Sequence, residues 1–163
     1  MKLVGIVGYK DSGKTTLARA LAQELTVRGH RVAVIKHTSH QIDLAGKDTA
    51  MLLETSGQVA ILSAQASAVF WRDPMGLDGI LAHLDADLVL VEGFKARQGY
   101  PKIACLRGLP DDCDLIDDLA IAAIGPTDQV GDLNIPVFDR DDVGLIADLV
   151  ELVHSTGTGS ATA

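Results

Sequence analysis

The fold is decided by Gly8-Tyr9-Lys10-Asp11-Ser12-Gly13-Lys14-Thr15-Thr16, which matches the phosphate-binding pattern of Gly, any four residues and Gly-Lys-Ser/Thr. The apolar run Leu3-Val4-Gly5-Ile6-Val7 precedes it and predicts a buried strand. Small or apolar residues follow it at helical spacing, at Leu17, Ala18, Leu21, Ala22 and Leu25. A strand that turns through glycines into a helix presents N–H groups and a helix dipole to a phosphate. We therefore expect Lys14 to reach the β- and γ-phosphates of a nucleotide and the Thr15 hydroxyl to hold Mg²⁺.

Composition and charge narrow the class of protein. The chain has 163 residues, of which 47% are hydrophobic, so we expect one domain with a substantial core rather than a disordered chain. The net charge of −8 argues against a nucleic-acid partner, because phosphate backbones are bound by basic surfaces. Cys105 and Cys113 are too few for a disulfide framework and lack zinc-site spacing, so both are expected to be reduced thiols.

The two ends of the sequence and its longest apolar runs bear on the cellular location and the domain boundary of the protein. The amino-terminal stretch does not have the shape of a signal peptide, and no apolar run approaches the length of a membrane span. A cytoplasmic protein without a membrane partner is therefore expected. Residues 155–163 are small and polar and predict a flexible tail, which leaves residues 1–154 as the predicted nucleotide-binding domain.

Strand and helix patterns alternate along the chain. The first helix is predicted to end near Arg28, with Gly29 as its C-cap. Strands are predicted at residues 31–36, 59–62, 87–93, 102–106 and 120–124, a short extended piece at 135–138, and helices at 49–56, 77–84 and 143–153. Residues 68–71 are predicted to pair beside 59–62 as an antiparallel hairpin or edge, and the acidic residues 111–118 to form a solvated connection. Near-continuous apolar strands favour a mostly parallel sheet with helices on both faces, the three-layer α/β architecture of a P-loop NTPase.

A phosphate loop needs a second acidic group to manage Mg²⁺. Glu92 is the best candidate, because four apolar residues precede it and its carboxylate is expected to emerge at the sheet edge beside the loop. Asp43 is the alternative Mg²⁺ ligand, since it lies in the loop after the second strand. Lys14, Glu92 and Asp43 are accordingly the residues expected to take part in any hydrolysis.

The polar segment after the second strand lies at the edge where open α/β sheets bind ligands. His37 and His40, beside Lys36, form a His-x-x-His pair that needs further ligands to hold a metal. Phosphate or partner contact by Lys36 and His37 is the second interpretation, and a plain polar loop is the third. Lys47 and Asp48 begin a helix whose N–H groups face either an anion or the capping carboxylate of Asp48.

Three further sites remain open on residue grounds. Thr127 and Asp128 end a late strand where P-loop proteins read the base, but the usual Asn/Thr-Lys-x-Asp signature is absent, so guanine and adenine are not distinguished. Lys95 is either a phosphate or partner contact or a plain surface lysine. Asp11 places a carboxylate inside an anion cradle, where it is expected to repel phosphate unless Lys10 screens it.

The ordered set of motifs resembles the molybdopterin-guanine dinucleotide biosynthesis adaptor protein B family. The resemblance covers roughly residues 1–153 and rests on residues 8–16, Lys36-His37-Thr38-Ser39-His40, Gly46-Lys47-Asp48-Thr49, Asp87-Leu88-Val89-Leu90-Val91-Glu92-Gly93-Phe94-Lys95, Pro101-Lys102-Ile103 and Pro136-Val137-Phe138-Asp139. The phosphate loop alone is common to very many proteins, whereas the whole set is far more specific. This chain departs from the family pattern at Asp11 and in the His-containing loop, where Ser39 interrupts the histidines.

The resemblance implies a GTP-binding protein, usually a homodimer and at best a slow GTPase. Such a protein assists the nucleotidyltransferase that joins GMP to molybdenum cofactor, and delivers either the nucleotide or molybdopterin. By carry-over, Gly8 to Thr16 hold phosphates, Thr15 and Glu92 serve Mg²⁺, and Lys36, His37, Asp43, Lys47 and Asp48 line the site.

The residues leave three alternative functions open. A small-molecule kinase shares the loop, but its lid normally brings Arg or Lys to the moving phosphoryl group, and residues 107–118 carry one Arg and many Asp. A metal-insertion GTPase would use His37 and His40. A pure interaction module with a vestigial loop is disfavoured by the intact Gly13-Lys14-Thr15.

Overall fold

The computed structural model describes residues 1–38, 47–128 and 130–154, and these fall into two compact units. One unit holds the described residues of Met1–Thr38 and Asp85–Ala163, and the other those of Ser39–Leu84. Both lie within the region that the sequence predicts as a single domain. Within the described part of the chain, every helix is too short or too polar to cross a membrane.

The order of helices and strands follows the predicted alternation. The strands are β1 Lys2–Gly8, β2 Val32–Lys36, β3 Gln58–Leu62, β4 Ser67–Trp71, β5 Leu88–Glu92, β6 Lys102–Cys105, β7 Ala120–Ile124 and β8 Val137–Phe138. The helices are α1 Lys14–Val27, α2 Lys47–Thr55, α3 Leu77–Leu81 and α4 Val143–Leu152, with a 3₁₀ helix at Pro110–Leu115. The predicted boundaries agree to within a few residues.

Among the described residues, six strands form one parallel sheet in the order β2-β5-β1-β6-β7-β8. Strands β3 and β4 pair antiparallel in a separate two-stranded sheet, which confirms the predicted hairpin. Because all six strands of the large sheet run the same way, the segments that follow them meet at its carboxyl edge. With α1 directly after β1, this is the α/β architecture of a P-loop NTPase.

The core lies on both faces of the large sheet. On one face α1 and α4 pack against strand residues such as Ile6, Leu90 and Ile124. Side chains alternate along a strand, so Val7 points to the opposite face, where it packs with Leu106 and with Leu115 of the 3₁₀ helix.

The acidic segment at residues 111–118 is therefore not the solvated connection that its composition suggests. The 3₁₀ helix covers the second face of the sheet, and Asp112 within it is fully buried. Asp112 accepts the backbone N–H groups of Arg107 at 2.6 Å and Leu109 at 3.1 Å, so its carboxylate closes the turn after β6. The prediction was wrong because a run of aspartates does not reveal which one points inward.

Helix α1 is closed by Gly29, as the sequence predicts. This residue has φ 94°, and its N–H bonds to the carbonyl of Thr26 at 3.0 Å, while the N–H of His30 bonds to that of Leu25 at 3.1 Å. The pair of bonds is a Schellman motif, which satisfies the last carbonyls of the helix. The helix thus has a fixed end at Gly29 and begins at the loop after β1.

Candidate functional site

The glycine-rich loop, residues 8–16, joins β1 to α1 and needs glycine at two positions. A Cβ on Gly8 would lie 2.8 Å from the carbonyl oxygen of Cys105 and would collide with the Ser12 hydroxyl. Gly13 has φ 87°, a left-handed conformation that side chains disfavour, and a Cβ there would collide with Arg140. Both glycines let the backbone fold tightly over the end of β1.

The first turn of α1 offers donors at the mouth of this loop. The helix begins with the bond from the Leu17 N–H to the Gly13 carbonyl at 3.0 Å. By helix geometry the N–H groups of Lys14, Thr15 and Thr16 have no intrahelical carbonyl to bond, and they lie at the positive end of the helix dipole. The side chains of Thr15 and Thr16 are exposed. This arrangement suits an anion.

Lys14 spans the loop. Its Nζ donates to the carbonyl oxygen of Tyr9 and lies 3.4 Å from the Oγ of Ser12, whose side chain is fully buried. The ammonium group is therefore held over the same concave backbone that presents the N–H donors. Lys10 and Asp11, by contrast, are exposed, and Asp11 has φ 61°.

The two residues predicted to serve Mg²⁺ lie in contact. Strand β5 pairs beside β1 with Glu92 in register with Ile6, and the Thr15 hydroxyl donates to Oε1 of Glu92 at 2.7 Å. The Glu92 side chain is 8% exposed, and Nζ of Lys36 lies 3.6 Å from the same oxygen. A hydroxyl and a carboxylate are hard oxygen ligands of the kind Mg²⁺ takes, so the donor set fits this ion.

A strained turn follows Glu92. Gly93 has φ 99° and Phe94 has φ 53°, and the second value is unfavourable for an aromatic residue. The N–H of His37 donates to the carbonyl of Glu92 at 2.9 Å, and the His37 ring stacks on Phe94 with centroids 3.9 Å apart. Strain of this kind is kept where it positions functional groups. Here the His37 hydrogen bond and the stacked rings hold the segment after Glu92 against the segment after β2.

Tyr9 of the glycine-rich loop is held by residues that follow β5 and β6. Nζ of Lys95 lies 3.8 Å from the centre of its ring, and the guanidinium carbon of Arg107 lies 4.4 Å from it. The phenol donates to Asp114 at 3.5 Å. Partial burial and the nearby carboxylates of Asp114 and Asp111 raise the pKa of Tyr9. Lys95 is an exposed lysine that contacts the Tyr9 ring, and its role as a phosphate or partner contact stays a prediction.

The sequence allows Arg97 and Arg140 a role at the phosphates only if folding or dimerisation brings one of them close, and the structure brings Arg140 to the glycine-rich loop. Its Nη1 donates to the carbonyl of Ser12 at 2.8 Å, and its Nη2 to that of Leu106 at 2.9 Å. A cavity of about 50 Å³ lies beside it, lined also by Gly13, Thr16 and Cys105. Arg140 comes 127 positions after Gly13, and no sequence pattern marks it among the polar residues that follow β8.

Both cysteines are free, and they differ in exposure. Cys105 ends β6 directly under the glycine-rich loop, and burial raises the pKa of its thiol to about 11. Cys113 is exposed in the 3₁₀ helix. A thiol with so high a pKa is neutral at physiological pH, so Cys105 packs as a small apolar group.

The remaining predicted residues follow β7, begin α2, or lie outside the described part of the chain. Thr127 and Asp128 follow β7 at the same carboxyl edge, with Thr127 half-buried and Asp128 exposed. Lys47 begins α2 and Asp48 is exposed in its first turn, both in the second unit. Asp43 and His40 lie outside the described residues.

Known proteins resemble this chain over most of its length. A family model described as molybdopterin guanine dinucleotide synthesis protein B matches residues 3–124. The molybdopterin-guanine dinucleotide biosynthesis adapter protein of Haemophilus influenzae is 37% identical, over 91% of this chain and 87% of that protein. The protein of that name from Escherichia coli is 32% identical, over 91% of this chain and 90% of that protein. A putative molybdopterin-guanine dinucleotide biosynthesis adapter protein of Methanocaldococcus jannaschii is 39% identical over 72% of this chain. The match covers 52% of that relative, so this chain spans about half of its length.

Solved structures of the same kind share the fold. MobB of Bacillus subtilis superposes with a TM-score of 0.75 at 26% identity, covering 93% of this chain and 96% of that one. A MobB homolog from Bacillus stearothermophilus gives 0.69 at 28% identity, covering 93% and 99%. From the matched family model and the adapter proteins together, the chain belongs to the MobB family of molybdopterin guanine dinucleotide synthesis proteins.

Proposed function

We propose that this protein is a GTP-binding adapter in molybdopterin guanine dinucleotide biosynthesis, with at most slow GTP hydrolysis. The relatives named above as biosynthesis adapter proteins support the pathway. The observation that carries nucleotide binding is the contact between Thr15 of the glycine-rich loop and Glu92 of β5, at 2.7 Å. This pair stands where a nucleotide's phosphates and their metal ion would meet the loop.

The phosphates bind to the chain's own donors. The backbone of residues 8–16 supplies N–H groups, and Lys14 supplies a charge that reaches the β- and γ-phosphates. Thr15 and Glu92 hold Mg²⁺, with Asp43 kept as a further predicted ligand. When bound, Mg²⁺ neutralises charge on the β- and γ-phosphate oxygens. Lys36, beside Glu92, adds positive charge to the same edge of the sheet.

The base is read after β7. This strand lies two places from β1 in the sheet, a spacing of roughly 10 Å that matches the reach from phosphates to base. The Asp128 carboxylate can accept both N–H groups of the guanine edge, whereas adenine presents no such pair. GTP is therefore the proposed nucleotide, in line with the guanine dinucleotide in the relatives' names.

Hydrolysis is slow because the described arginines near the loop are already engaged. Arg107 binds Asp111 at 2.7 Å and Asp112 at 3.1 Å, and Arg140 binds two backbone carbonyls. Neither is placed as a mobile arginine finger, a group that accelerates phosphoryl transfer strongly. Glu92 or Asp43 positions the attacking water. The same ion pairs of Arg107 disfavour a kinase lid over residues 107–118.

The proposed partners are the molybdenum cofactor nucleotidyltransferase, molybdopterin and a second copy of this chain. A metal-insertion GTPase has less support. The His37 ring, one of the two imidazoles that such a protein would use, is stacked on Phe94. The other histidine, His40, lies outside the described residues.

Calorimetric titration tests nucleotide binding. GTP, ATP and their non-hydrolysable analogues are titrated with and without Mg²⁺ into the wild type, Lys14→Ala and Lys2→Ala. Lys2 is the matched control because it begins β1, at the opposite edge of the sheet. We expect Mg²⁺-dependent GTP binding that Lys14→Ala abolishes and Lys2→Ala preserves. A preference for ATP would favour the kinase, and unchanged binding in Lys14→Ala would refute the site.

The adapter role is tested with the nucleotidyltransferase itself. Light scattering is used to measure the mass of the protein alone and mixed with that enzyme, each with and without GTP. A dimer that adds the enzyme's mass supports the proposal. A monomer that leaves the enzyme's mass unchanged at micromolar concentrations would contradict it.

A further inference from the structure

The side chain of Arg140 connects three strand ends of the parallel sheet. Its backbone follows β8, its Nη1 reaches the carbonyl of Ser12 in the glycine-rich loop after β1, and its Nη2 reaches that of Leu106 after β6. Arg140 is an exposed residue, so these two bonds rather than burial hold the guanidinium in place. A planar fork of donors is suited to bridging two fixed acceptors.

The end of β7 is shaped to admit this bridge. Gly125, directly after β7, has φ 110°, and a Cβ there would lie 3.3 Å from Nη2 of Arg140 and 2.7 Å from the carbonyl oxygen of Leu106. A larger residue would push the guanidinium off Leu106. Residues at the ends of β1, β6, β7 and β8 thus converge on one side chain.

The bond to Ser12 fixes the direction of a peptide group. In a trans peptide the C=O and the following N–H point to opposite sides. With the Ser12 oxygen drawn to Arg140, the Gly13 N–H is turned to the other side of the peptide plane. Gly13 adopts φ 87° in this arrangement, and its missing side chain leaves room for the guanidinium.

This orientation is the one that an anion site requires. If the peptide turned over, the Ser12 carbonyl would present a partial negative charge to the phosphates, and the Gly13 donor would be lost. We infer that Arg140 is a positioning residue for nucleotide binding, which holds the Ser12–Gly13 peptide so that its N–H serves the phosphates. The inference rests on the proposed function of the glycine-rich loop.

The test compares Arg140→Gln and Arg140→Lys with the wild type. Arg28→Gln is the matched control, because Arg28 also binds a backbone carbonyl, that of Gly144 at 3.0 Å, but at the far end of α1. For each variant the dissociation constant for Mg²⁺-GTP is measured by calorimetry well below the unfolding temperature. Stability is measured separately by urea unfolding.

We expect Arg140→Gln to bind GTP roughly tenfold or more weakly, because a charged donor to the loop is lost. Arg140→Lys should recover part of the affinity, since a lysine reaches one carbonyl but not both. Arg28→Gln should lose stability and keep its affinity. Arg140→Gln should show its loss of affinity at a temperature where its urea-unfolding curve shows that the protein is folded.

The outcomes separate this inference from the proposed function. If the wild type binds no nucleotide, the proposed function fails. If the wild type binds, Lys14→Ala does not, and Arg140→Gln binds as tightly as the wild type, Arg140 has only a role in stability and the inference alone is overturned.

Discussion

Asp112 shows how one residue can carry a charge inside this protein. Its carboxylate is fully buried, and it accepts the Arg107 and Leu109 N–H groups together with Nε of Arg107 at 3.1 Å. Burial works to raise the pKa of Asp112, but the two backbone bonds and the Arg107 guanidinium outweigh it and hold the pKa below 3.8. The ionised form therefore stabilises the fold.

We predict that Asp112→Asn lowers the free energy of unfolding at pH 7 by about 1–3 kcal/mol, because an amide offers one acceptor oxygen in place of two. Since the folded pKa is depressed, the ionised carboxylate contributes fully above the unfolded value of 3.8 and loses its effect as pH falls through the folded value. Urea unfolding at pH 7 and pH 3 should show the wild type losing more stability than the variant. A constant gap between the two proteins would contradict this.

Asp11 is the residue most at odds with an anion site. It is exposed in the glycine-rich loop at φ 61°, a conformation that asparagine also adopts readily. We predict that Asp11→Asn tightens triphosphate binding by roughly two- to tenfold, because a negative charge beside the phosphates is removed. Calorimetry checks this, with Asp118→Asn as control for the same change of charge before β7. Equal or weaker binding by Asp11→Asn would refute the idea.

At the scale of elements, α1 is flanked by two glycines, Gly13 and Gly29, that have different structural roles. Gly29 ends the helix at φ 94° with open space where a Cβ would go, whereas Gly13 at φ 87° is crowded by Arg140. We predict that Gly29→Ala costs about 1 kcal/mol of stability, from left-handed strain alone, and leaves GTP affinity unchanged. Gly13→Ala should weaken GTP binding at least as much as Arg140→Gln does, because it displaces Arg140 and also strains the loop that presents the N–H donors. Urea unfolding and calorimetry on both variants check this, and wild-type affinity in Gly13→Ala would contradict it.

The elements were largely predictable because the buried parallel strands are near-continuous apolar runs. The five residues of β5 are all buried, and its sequence, Leu88 to Glu92, is the clearest run after β1. Sequence could not reveal that Lys102 is buried at the start of β6, where its Nζ pairs with Asp117 at 2.7 Å. That pairing depends on a contact across 15 positions, which no local period encodes.

At the scale of the whole molecule, the sheet order ranks the stability of its parts. Strands β5, β1, β6 and β7 have neighbours on both sides, while β2 and β8 are the edges of the described six-stranded sheet and β3 and β4 pair only with each other. We predict that amides of the interior strands β5, β1, β6 and β7 exchange with deuterium most slowly, and those of β2, β8 and the β3–β4 hairpin faster. Mass spectrometry of exchanged peptides measures this. Faster exchange in β5 than in β2 would contradict the order.

The candidate site was predictable where its residues belong to local sequence patterns. Thr15 and Glu92 carry recognisable patterns, a phosphate loop and a carboxylate at the end of an apolar strand, and parallel pairing of β1 with β5 brings them together. Arg140 carries no pattern. Its place at the loop depends on β8 joining the far side of the sheet, which is a property of the complete topology.

The pairing of β1 also has a consequence for how the protein is made. Its neighbours in the sheet are β5 and β6, and Leu88 comes 80 positions after Gly8. A ribosome adds roughly 5–20 residues per second, so the nascent β1 waits roughly 4–16 seconds for a partner. During that time its apolar residues are a target for chaperones. Slow codons between residues 9 and 87 would lengthen the exposure, whereas slow codons after Glu92 has emerged would give β1 and β5 time to pair.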